Sequence, residues 1–443
     1  MTELLTTRTV TAGTATGAVV RCTATDTLLA GMAMSTVFLY EVAPDLDRLE
    51  AGLAAALARV PVFAGRLRED PAGALEIVCD DSGAAYTVAE VPETVPEALG
   101  RMTLPTAGYA DPVEVGPDRD PDAPLLTVRA TRLGDGGLVL GCTWHHSLGD
   151  LQSLMLLLQS WSAAVEGRPG PDVELVAERE AYLDAVLPGD SGRPGFRLPK
   201  PAETAELVRV LQAVARANRV GQVFFSTAEV ERMRVAYGAG TGLRLSANDV
   251  LDGHLLATVR RLDGDTAGRR VVMPVNIRRF LGLPPAVVGN VVSEIDLGFP
   301  AGVGATGLAG LVREAVTGFV GEHLNLRANR AFLDRIGPGR KWDTMPVGFD
   351  PAGRTFSVTN WCRAGTYDIG FGTGRPAYFG PQVSLPVPWA SWVTEGFGGD
   401  GYLVTVVLPA RLAPKLRSEP GLHALRAEGE ELPPLARAVR KLG

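Results

Sequence analysis

The chain has few cysteines, and they stand far apart. Only four occur among 443 residues and none belongs to a Cys-x-x-Cys pair; they are Cys22, Cys79, Cys142 and Cys362. Structural zinc sites and disulfide-rich folds need such residues in closely spaced sets. The pattern therefore shows no disulfide framework, predicts no metal site and favours reduced thiols in a cytoplasmic protein.

A basic stripe is also missing. Lys and Arg number 43 against 50 Asp and Glu, so the formal net charge is −7 at pH 7. Proteins that bind nucleic acids need clustered positive charge to contact the phosphates. We therefore expect no nucleic acid partner for this chain.

Long apolar runs are absent as well. No segment reaches about eighteen uninterrupted apolar residues, the length that a membrane-spanning helix needs. Residues 1–17 are polar and rich in threonine, unlike a secretory signal. We therefore expect neither secretion nor a membrane span, and take the protein to be a cytoplasmic monomer.

The length and the element pattern indicate two domains of α/β type. A chain of 443 residues exceeds the size at which one hydrophobic core usually stops growing. Residues 167–201 are rich in Gly, Pro and charge, which is typical of a crossover between two halves. We predict one domain over residues 1–200 and a second, similar one over 202–443, each a mixed sheet flanked by helices.

Apolar periodicity predicts the main elements in both halves. Strands are predicted at 36–41, 74–78, 125–130, 138–144, 222–226, 269–277, 355–361, 366–371 and 401–408. Helices are predicted at 45–57, after Asp150, at 178–186, at 203–217, after the capping pairs Ser226/Glu229 and Ser246/Asp249, and near 422–441. Strands and helices thus alternate along the chain.

The segment WHHSLGD, residues 144–150, places two histidines where a predicted strand meets a helix. Because side chains alternate along a strand, His145 and His146 point to opposite faces, and only one of them faces a cleft. An imidazole with its ordinary pKa near 6.5 suits proton abstraction near neutrality. Asp150 stands at the helix start, where a carboxylate caps backbone N–H groups. We assign Asp150 a structural role rather than proton transfer.

A His–Asp pair at this spacing also arises by chance, so its context decides. HHSLGD resembles the histidine motif of the BAHD acyltransferases, a family defined by HxxxD and a later DFGWG. In the family's order, residues 61–67, 246–261 and 275–290 resemble the segment after the first helix, the central helix, and a strand with a Pro-rich turn and Gly-Asn. The match spans nearly the whole chain. It implies that His146 is the general base and that Asp150 is its structural partner.

The segment 359–376 aligns on the region that carries DFGWG in that family and places GFGTG there. Gly370 stands where the family has Asp, and Thr373 stands where it has Trp. The family's loop is regarded as structural and as lying on the cofactor side, so the departure bears on CoA contacts more than on the base. The resemblance makes these the candidate cofactor-binding residues: Gly370, Phe371, Gly372, Thr373 and Gly374.

The same alignment implies roles for further residues. Arg278 falls where the family's arginine pairs with the HxxxD aspartate, so we expect it to be the counter-ion of Asp150. The alternative is an ordinary exposed arginine. Positions near the family's acceptor pocket imply four substrate-binding residues: Trp361, Arg363, Thr359 and Asn360. The alternative for Thr359 and Asn360 is that their side chains pair only within the sheet.

The resemblance implies a chloramphenicol acetyltransferase-like architecture in which two similar domains meet along an active-site channel. It implies direct transfer of an acyl group from acyl-CoA, as co-substrate with no tightly bound cofactor, to a small-molecule alcohol or amine of secondary metabolism. Two alternatives stay open. One is a condensation-type acyltransferase that takes its acyl group from a carrier protein, and the other is a catalytically silent homologue that only binds a ligand.

Overall fold

Two six-stranded sheets, each mixing parallel and antiparallel pairs, form the framework of the protein. The structure is a computed structural model that describes residues 3–189, 192–205, 209, 218–265, 267–383 and 387–437. Its strands are β1 Glu3–Val10, β2 Val19–Arg21, β3 Ala33–Tyr40, β4 Arg66–Glu69, β5 Leu75–Val78, β6 Ala84–Glu90, β7 Leu126–Arg132, β8 Leu138–His145, β9 Phe196–Arg197, β10 Asn218–Phe225, β11 Arg269–Asn276, β12 Val292–Phe299, β13 Met345–Pro346, β14 Phe356–Asn360, β15 Tyr378–Pro381, β16 Ala390–Glu395 and β17 Tyr402–Pro409. Its helices are α1 Ala24–Leu28, α2 Leu46–Arg59, α3 Val95–Arg101, α4 Leu151–Glu166, α5 Arg179–Asp184, α6 Thr227–Thr241, α7 Ala247–Asp263, α8 Ala305–Thr317, α9 Phe319–Glu322, α10 Leu326–Ile336 and α11 Ala413–Arg417.

The first sheet has the strand order β1-β6-β7-β8-β3-β15. Strand β8 lies inside it, antiparallel to both β7 and β3, and all of its residues are buried. A strand that is covered on both faces of the sheet needs apolar side chains on both faces, and residues 138–144 of β8, LVLGCTW, have them. The strand at the end of this sheet, β15, pairs antiparallel with β3 and belongs to the second half of the chain. A short segment of the second half thus completes the sheet that the first half builds.

The second sheet has the order β10-β17-β16-β14-β11-β12 and draws only on the second half of the chain. Helices α6, α7 and α8 pack against one another beside it. Helix α7 begins with a complete capping box, because Ser246 and Asp249 each accept the other's backbone N–H. Two small sheets, β2-β5-β4 and β9 with β13, complete the topology.

Helix α4 follows β8 after a short 3-10 turn and packs in the hydrophobic core of the first sheet, called the first core below. Asp150 caps its N-terminus, and Gly167 ends it in the left-handed conformation with φ 68°. Its buried face includes Leu154, Leu158 and Trp161. At about 1.5 Å per residue the helix is roughly 24 Å long, so its two ends lie in different parts of the molecule. No helix in the described ranges is long and apolar enough to cross a membrane.

The predicted α/β fold with two mixed sheets flanked by helices is confirmed. The strand predicted at 366–371 is wrong, because a 3-10 turn at Thr366–Asp368 and a loop stand there. The helix predicted near 422–441 is wrong over residues 424–433, where Gly429 adopts a positive φ and helical residues begin only at 434. Most of the helix predicted at 203–217 lies outside the described residues, and the domain boundary near 200 stays a prediction.

Candidate active site

The two histidines lie at the end of strand β8, at the edge of the first core. His145 is its last residue, and His146 begins a 3-10 turn that ends at Leu148. The backbone N–H of His146 donates to the carbonyl of Met32 at 3.0 Å, which ties the turn to the segment before β3. The position of His146 is therefore set by a buried strand on one side and by helix α4 on the other.

The environment of the two imidazoles differs, as the alternation along a strand predicts. His145 is fully buried, its Nδ1 accepts the N–H of Ser147 at 3.3 Å, and burial followed by repulsion from Arg119 and His146 lowers its pKa to about 3. His146 is partly exposed. Burial lowers the pKa of its imidazole below the ordinary value of 6.5, and a hydrogen bond to its own backbone, followed by the nearby carboxylates of Asp150 and Asp26, opposes that effect. His146 is thus neutral near pH 7 and can accept a proton.

The carboxylate of Asp150 is buried and fully engaged. Its Oδ1 accepts the backbone N–H and the hydroxyl of Ser153, at 3.1 and 3.2 Å. Its Oδ2 accepts the N–H of Val291 at 3.2 Å. Arg278 donates to both oxygens, at 2.6 and 3.1 Å. A carboxylate with five donors has no free lone pair directed at a substrate, so Asp150 serves the turn rather than the reacting atoms.

Arg278 lies in the turn after β11 and is 3% exposed, so the alternative of a surface arginine is wrong. Beyond Asp150, its guanidinium donates to the carbonyls of Val287 and Gly289. The ion pair crosses between the two halves of the chain, 128 positions apart. A buried, two-point pair of this kind fixes the helix start on the second sheet.

Three polar residues that the sequence pattern did not single out complete the surroundings of the turn. Asn290 donates from Nδ2 to the carbonyl of His146 at 2.7 Å. Asp26 and Arg179 form a second buried ion pair at 3.0 Å, and Arg179 also donates to the carbonyls at 147 and 148. Asn290 stood in the Gly-Asn of a segment already noted, whereas nothing in the spacing of Asp26 and Arg179 marks them as partners.

The predicted substrate-binding residues lie at the end of β14. Trp361 is buried in the first hydrophobic core beside Phe379, with ring centroids 5.9 Å apart. Arg363 is exposed, has φ 63° and donates its backbone N–H to Glu395 at 2.6 Å. Asn360 donates to Asn248 at 2.5 Å. Within the described ranges no hydrogen bond joins Thr359, Asn360 or Arg363 to His146, so their substrate contacts stay a prediction.

The GFGTG loop docks on the far end of α4. The N–H groups of Gly370 and Phe371 donate to Ser162 Oγ at 3.2 and 3.1 Å, and that of Gly372 donates to Glu166 at 3.1 Å. The N–H of Thr373 donates to the carbonyl at 370. The Phe371 ring packs on Trp161 and Tyr40. Because these amides are used within the protein, the contacts indicate a structural brace, roughly one helix length from His146.

Known proteins resemble this chain over most of its length. A family model described as "Transferase family" matches residues 19–412. Agmatine coumaroyltransferase-1 of Hordeum vulgare is 28% identical over 384 residues, which cover 83% of this chain and 85% of that protein. A pelargonidin glucoside malonyltransferase of Salvia splendens, "Pelargonidin 3-O-(6-caffeoylglucoside) 5-O-(6-O-malonylglucoside) 4'''-malonyltransferase", is 26% identical over 383 residues with the same shares covered. The crystal structure of F. graminearum TRI101 complexed with ethyl coenzyme A has a TM-score of 0.74 at 15% identity, covering 92% of this chain and 98% of that one.

Proposed function

Because the chain belongs to the BAHD acyltransferases, the transferase family whose model spans most of it, we propose that it transfers an acyl group from acyl-CoA to a hydroxyl or amine of a small molecule, with His146 as general base. One observation carries the assignment of the base. His146 lies at the end of a buried strand, burial lowers the pKa of its imidazole, and the carboxylate of Asp150 is already engaged by other donors.

The chemistry follows from a neutral imidazole next to the reacting groups. Nε2 of His146 takes the proton from the acceptor O–H or N–H as the acceptor atom attacks the thioester carbonyl. The C–S bond then breaks, and the imidazolium returns the proton to the leaving thiolate. Direct attack needs no covalent acyl-enzyme. Burial raises the pKa of the Cys142 thiol to about 12, and it raises that of Cys362 still further, so neither thiol is an activated nucleophile.

The proposed acceptors include both alcohols and amines. Relatives of similar identity carry names that include an agmatine coumaroyltransferase and a malonyltransferase of a glucoside. We propose that the acceptor lies near the end of β14, where Trp361 packs into the first core and Thr359, Asn360 and Arg363 lie beside it in the chain. Contacts of residues 370–374 with CoA remain part of this proposal, although the amides of that loop are engaged within the protein.

We also propose that the enzyme works as a cytoplasmic monomer that binds no cofactor tightly. All four cysteines are free thiols, as a reducing compartment requires. Size-exclusion chromatography with light scattering measures the mass directly. A mass near twice 46.7 kDa would overturn the monomer.

The first experiment measures free-thiol release from a panel of acyl-CoA donors with mixed alcohols and amines. Wild type is compared with His146→Ala and with His323→Ala, a matched removal of a partly exposed histidine outside the site. We expect acceptor-dependent release from wild type and from His323→Ala. A general base contributes on the order of 10²–10⁴-fold, so His146→Ala should lose at least about 100-fold.

Other outcomes separate the alternatives. Release that appears only with an acyl carrier protein as donor would support the condensation-type enzyme. Binding of acyl-CoA by calorimetry without any release from folded wild type would support a silent homologue. Equal release by wild type and a folded His146→Ala would show that another group acts as the base.

A further inference from the structure

Side chains from elsewhere in the protein bind three consecutive backbone carbonyls of the 3-10 turn at residues 146–148, called the catalytic turn below. The carbonyl of His146 accepts Nδ2 of Asn290 at 2.7 Å. The carbonyls at 147 and 148 accept Nη1 and Nη2 of Arg179, at 3.3 and 3.1 Å. Carbonyls inside a protein need hydrogen-bond partners. The conformation of the catalytic turn therefore depends on these two side chains.

One carboxylate orients both of them. Oδ1 of Asp26 accepts Nδ2 of Asn290 at 2.7 Å and its backbone N–H at 3.2 Å. Oδ2 accepts Nη1 of Arg179 at 3.0 Å and the N–H of Thr23 at 2.9 Å. Because both partners of the asparagine Nδ2 are acceptors, the orientation of that amide is determined. The hydroxyl of Ser147 donates to the carbonyl of Asp26 at 2.9 Å, so Asp26 also contacts the turn directly.

The three side chains come from different parts of the chain and are all removed from water. Asp26 is fully buried, and Asn290 and Arg179 are at most 3% exposed. Asp26 lies in α1, Arg179 begins α5 in the predicted crossover, and Asn290 precedes β12. A buried ion pair adds little net stability, because both ions lose their water. The geometry of such a pair does fix the groups around it.

The other buried ion pair of the site holds a different part of the chain. The carboxylate of Asp150 binds the start of helix α4 and pairs with Arg278. Among the described residues, no hydrogen bond joins either of these side chains to the carbonyls at 146–148. Asp150 thus holds the residue after the catalytic turn, whereas Asp26 serves the turn itself.

We propose that Asp26 is the positioning residue of the catalytic turn: through Asn290 and Arg179 it holds the backbone of residues 146–148 so that the imidazole of His146 meets both substrates. Misplacing a catalytic group by about 1 Å can cost on the order of 100-fold in rate. The turn must therefore be fixed before the substrates bind. The proposal rests on the proposed function for its catalytic meaning, but the rigidity of the turn can be measured without turnover.

The first variant is Asp26→Asn, which keeps the size of the side chain. Whichever way the new amide turns, its NH2 group faces donors, either those of Arg179 and Thr23 or those of Asn290. The two side chains that bind the turn then lose their common acceptor. We expect kcat for thiol release to fall by about 10- to 100-fold, with KM for acyl-CoA and for the acceptor within about 2-fold of wild type.

Hydrogen exchange read by mass spectrometry reports on the turn itself. In the peptide that spans residues 144–150, the backbone N–H of His146 donates to the carbonyl of Met32 at 3.0 Å. A locally loosened turn exchanges its amides faster, while the rest of the protein keeps its protection. We expect Asp26→Asn to speed exchange in this peptide by about 10-fold or more and to leave the peptide at residues 246–252 unchanged.

Asp249→Asn is the matched control. Asp249 is, like Asp26, a buried aspartate in the capping box of a helix, and its carboxylate also pairs with an arginine, Arg313. Its loss should lower the unfolding midpoint and speed exchange at 246–252, while kcat and exchange at 144–150 stay at wild-type values. A purely structural Asp26 would likewise leave kcat unchanged when replaced, and that result would overturn the proposal.

A second variant decides the matter if Asp26→Asn does not fold. Asn290→Ala keeps the ion pair between Asp26 and Arg179 and removes the donor to the carbonyl of His146. We expect its kcat to fall by about 10-fold, with faster exchange at 144–150. Wild-type kcat in this variant would contradict the proposal.

The two readouts separate failure of the proposed function from failure of the positioning. If wild type releases no thiol with any donor, the proposed function fails, and faster exchange at 144–150 in Asp26→Asn still supports the positioning. If turnover of wild type is normal and exchange at 144–150 is unchanged in both variants, the proposed function stands and the positioning fails.

Discussion

Glu166 and Gly372, 206 positions apart, are joined by a 3.1 Å hydrogen bond from the glycine N–H to the carboxylate Oε1. The same oxygen accepts the hydroxyl of Ser162 at 3.0 Å. A side chain at Gly370 would begin 3.5 Å from this carboxylate. The aspartate that the family has at position 370 is absent here, and helix α4 instead supplies a carboxylate at the loop.

Removing that carboxylate should loosen the GFGTG loop. We expect Glu166→Ala to lower the free energy of unfolding by about 1–2 kcal/mol, since Gly372 and Ser162 lose their acceptor. Urea titration followed by Trp fluorescence checks this. Glu314→Ala, an exposed carboxylate near the end of α8, should change stability by less than about 0.5 kcal/mol. Equal stability of both variants would show that the brace contributes nothing.

The ion pair between Asp150 and Arg278 should behave as a buried unit. Either Asp150→Asn or Arg278→Met leaves an unpaired polar or charged group inside the protein, and each should destabilise by about 3–5 kcal/mol. The double variant leaves no charge without a partner, so its loss should be clearly smaller than the sum. A double-mutant cycle in urea measures the coupling. Additive losses would mean that the two side chains act independently.

The pH profile of kcat/KM should report a base that stays neutral in mild acid. Burial lowers the pKa of His146 below 6.5, so the acid limb should lie below that pH. The carboxylates of Asp150 and Asp26 oppose the lowering. Asp150→Asn removes one of these charges, so its acid limb should move to still lower pH. A limb above 6.5, or a shift to higher pH in the variant, would contradict this environment for His146.

His145 should make the fold sensitive to acid. Its pKa is lowered to about 3, chiefly by burial, from an ordinary 6.5. Between these values the unfolded chain binds a proton that the folded chain does not, so stability falls as pH decreases, by up to about 1.4 kcal/mol per pH unit. His145→Asn keeps an acceptor for the N–H of Ser147 and removes the titration. Its urea midpoint should decline less than that of wild type between pH 6.5 and pH 4, and parallel declines would exclude His145 as the cause.

Local patterns were sufficient for the helix starts. Asp150 caps α4 and Ser246 with Asp249 forms the full capping box of α7, as predicted. The box predicted at Ser226 forms only in part, because Ser226 accepts the N–H of Glu229 while that carboxylate pairs with His423 and Arg426. A cap depends on neighbours within one turn, whereas a charged side chain takes the strongest partner that the fold brings near.

The strand predicted at 366–371 failed for a physical reason. Tyr367, Ile369 and Phe371 alternate with more polar residues, which is the period of a half-buried strand. In the structure all three are buried in the first core, but they belong to a turn and a loop in which Phe371 has φ 48°. Burial of alternate side chains thus arose from docking on α4 and β3 rather than from pairing in a sheet.

The sequence by itself determined the class of fold, the family and the strand–turn–helix junction that carries His146 and Asp150, because each depends on composition, on period or on a contiguous motif. Only the tertiary structure decided which distant groups meet there: Asn290 against His146, Asp26 against Arg179, and Glu166 against the GFGTG loop. Such contacts join residues from about 140 to more than 200 positions apart. Packing, and the need of every buried charge or amide for a hydrogen-bond partner, determine which of these residues meet. Neither effect can be read from the spacing of residues along the chain.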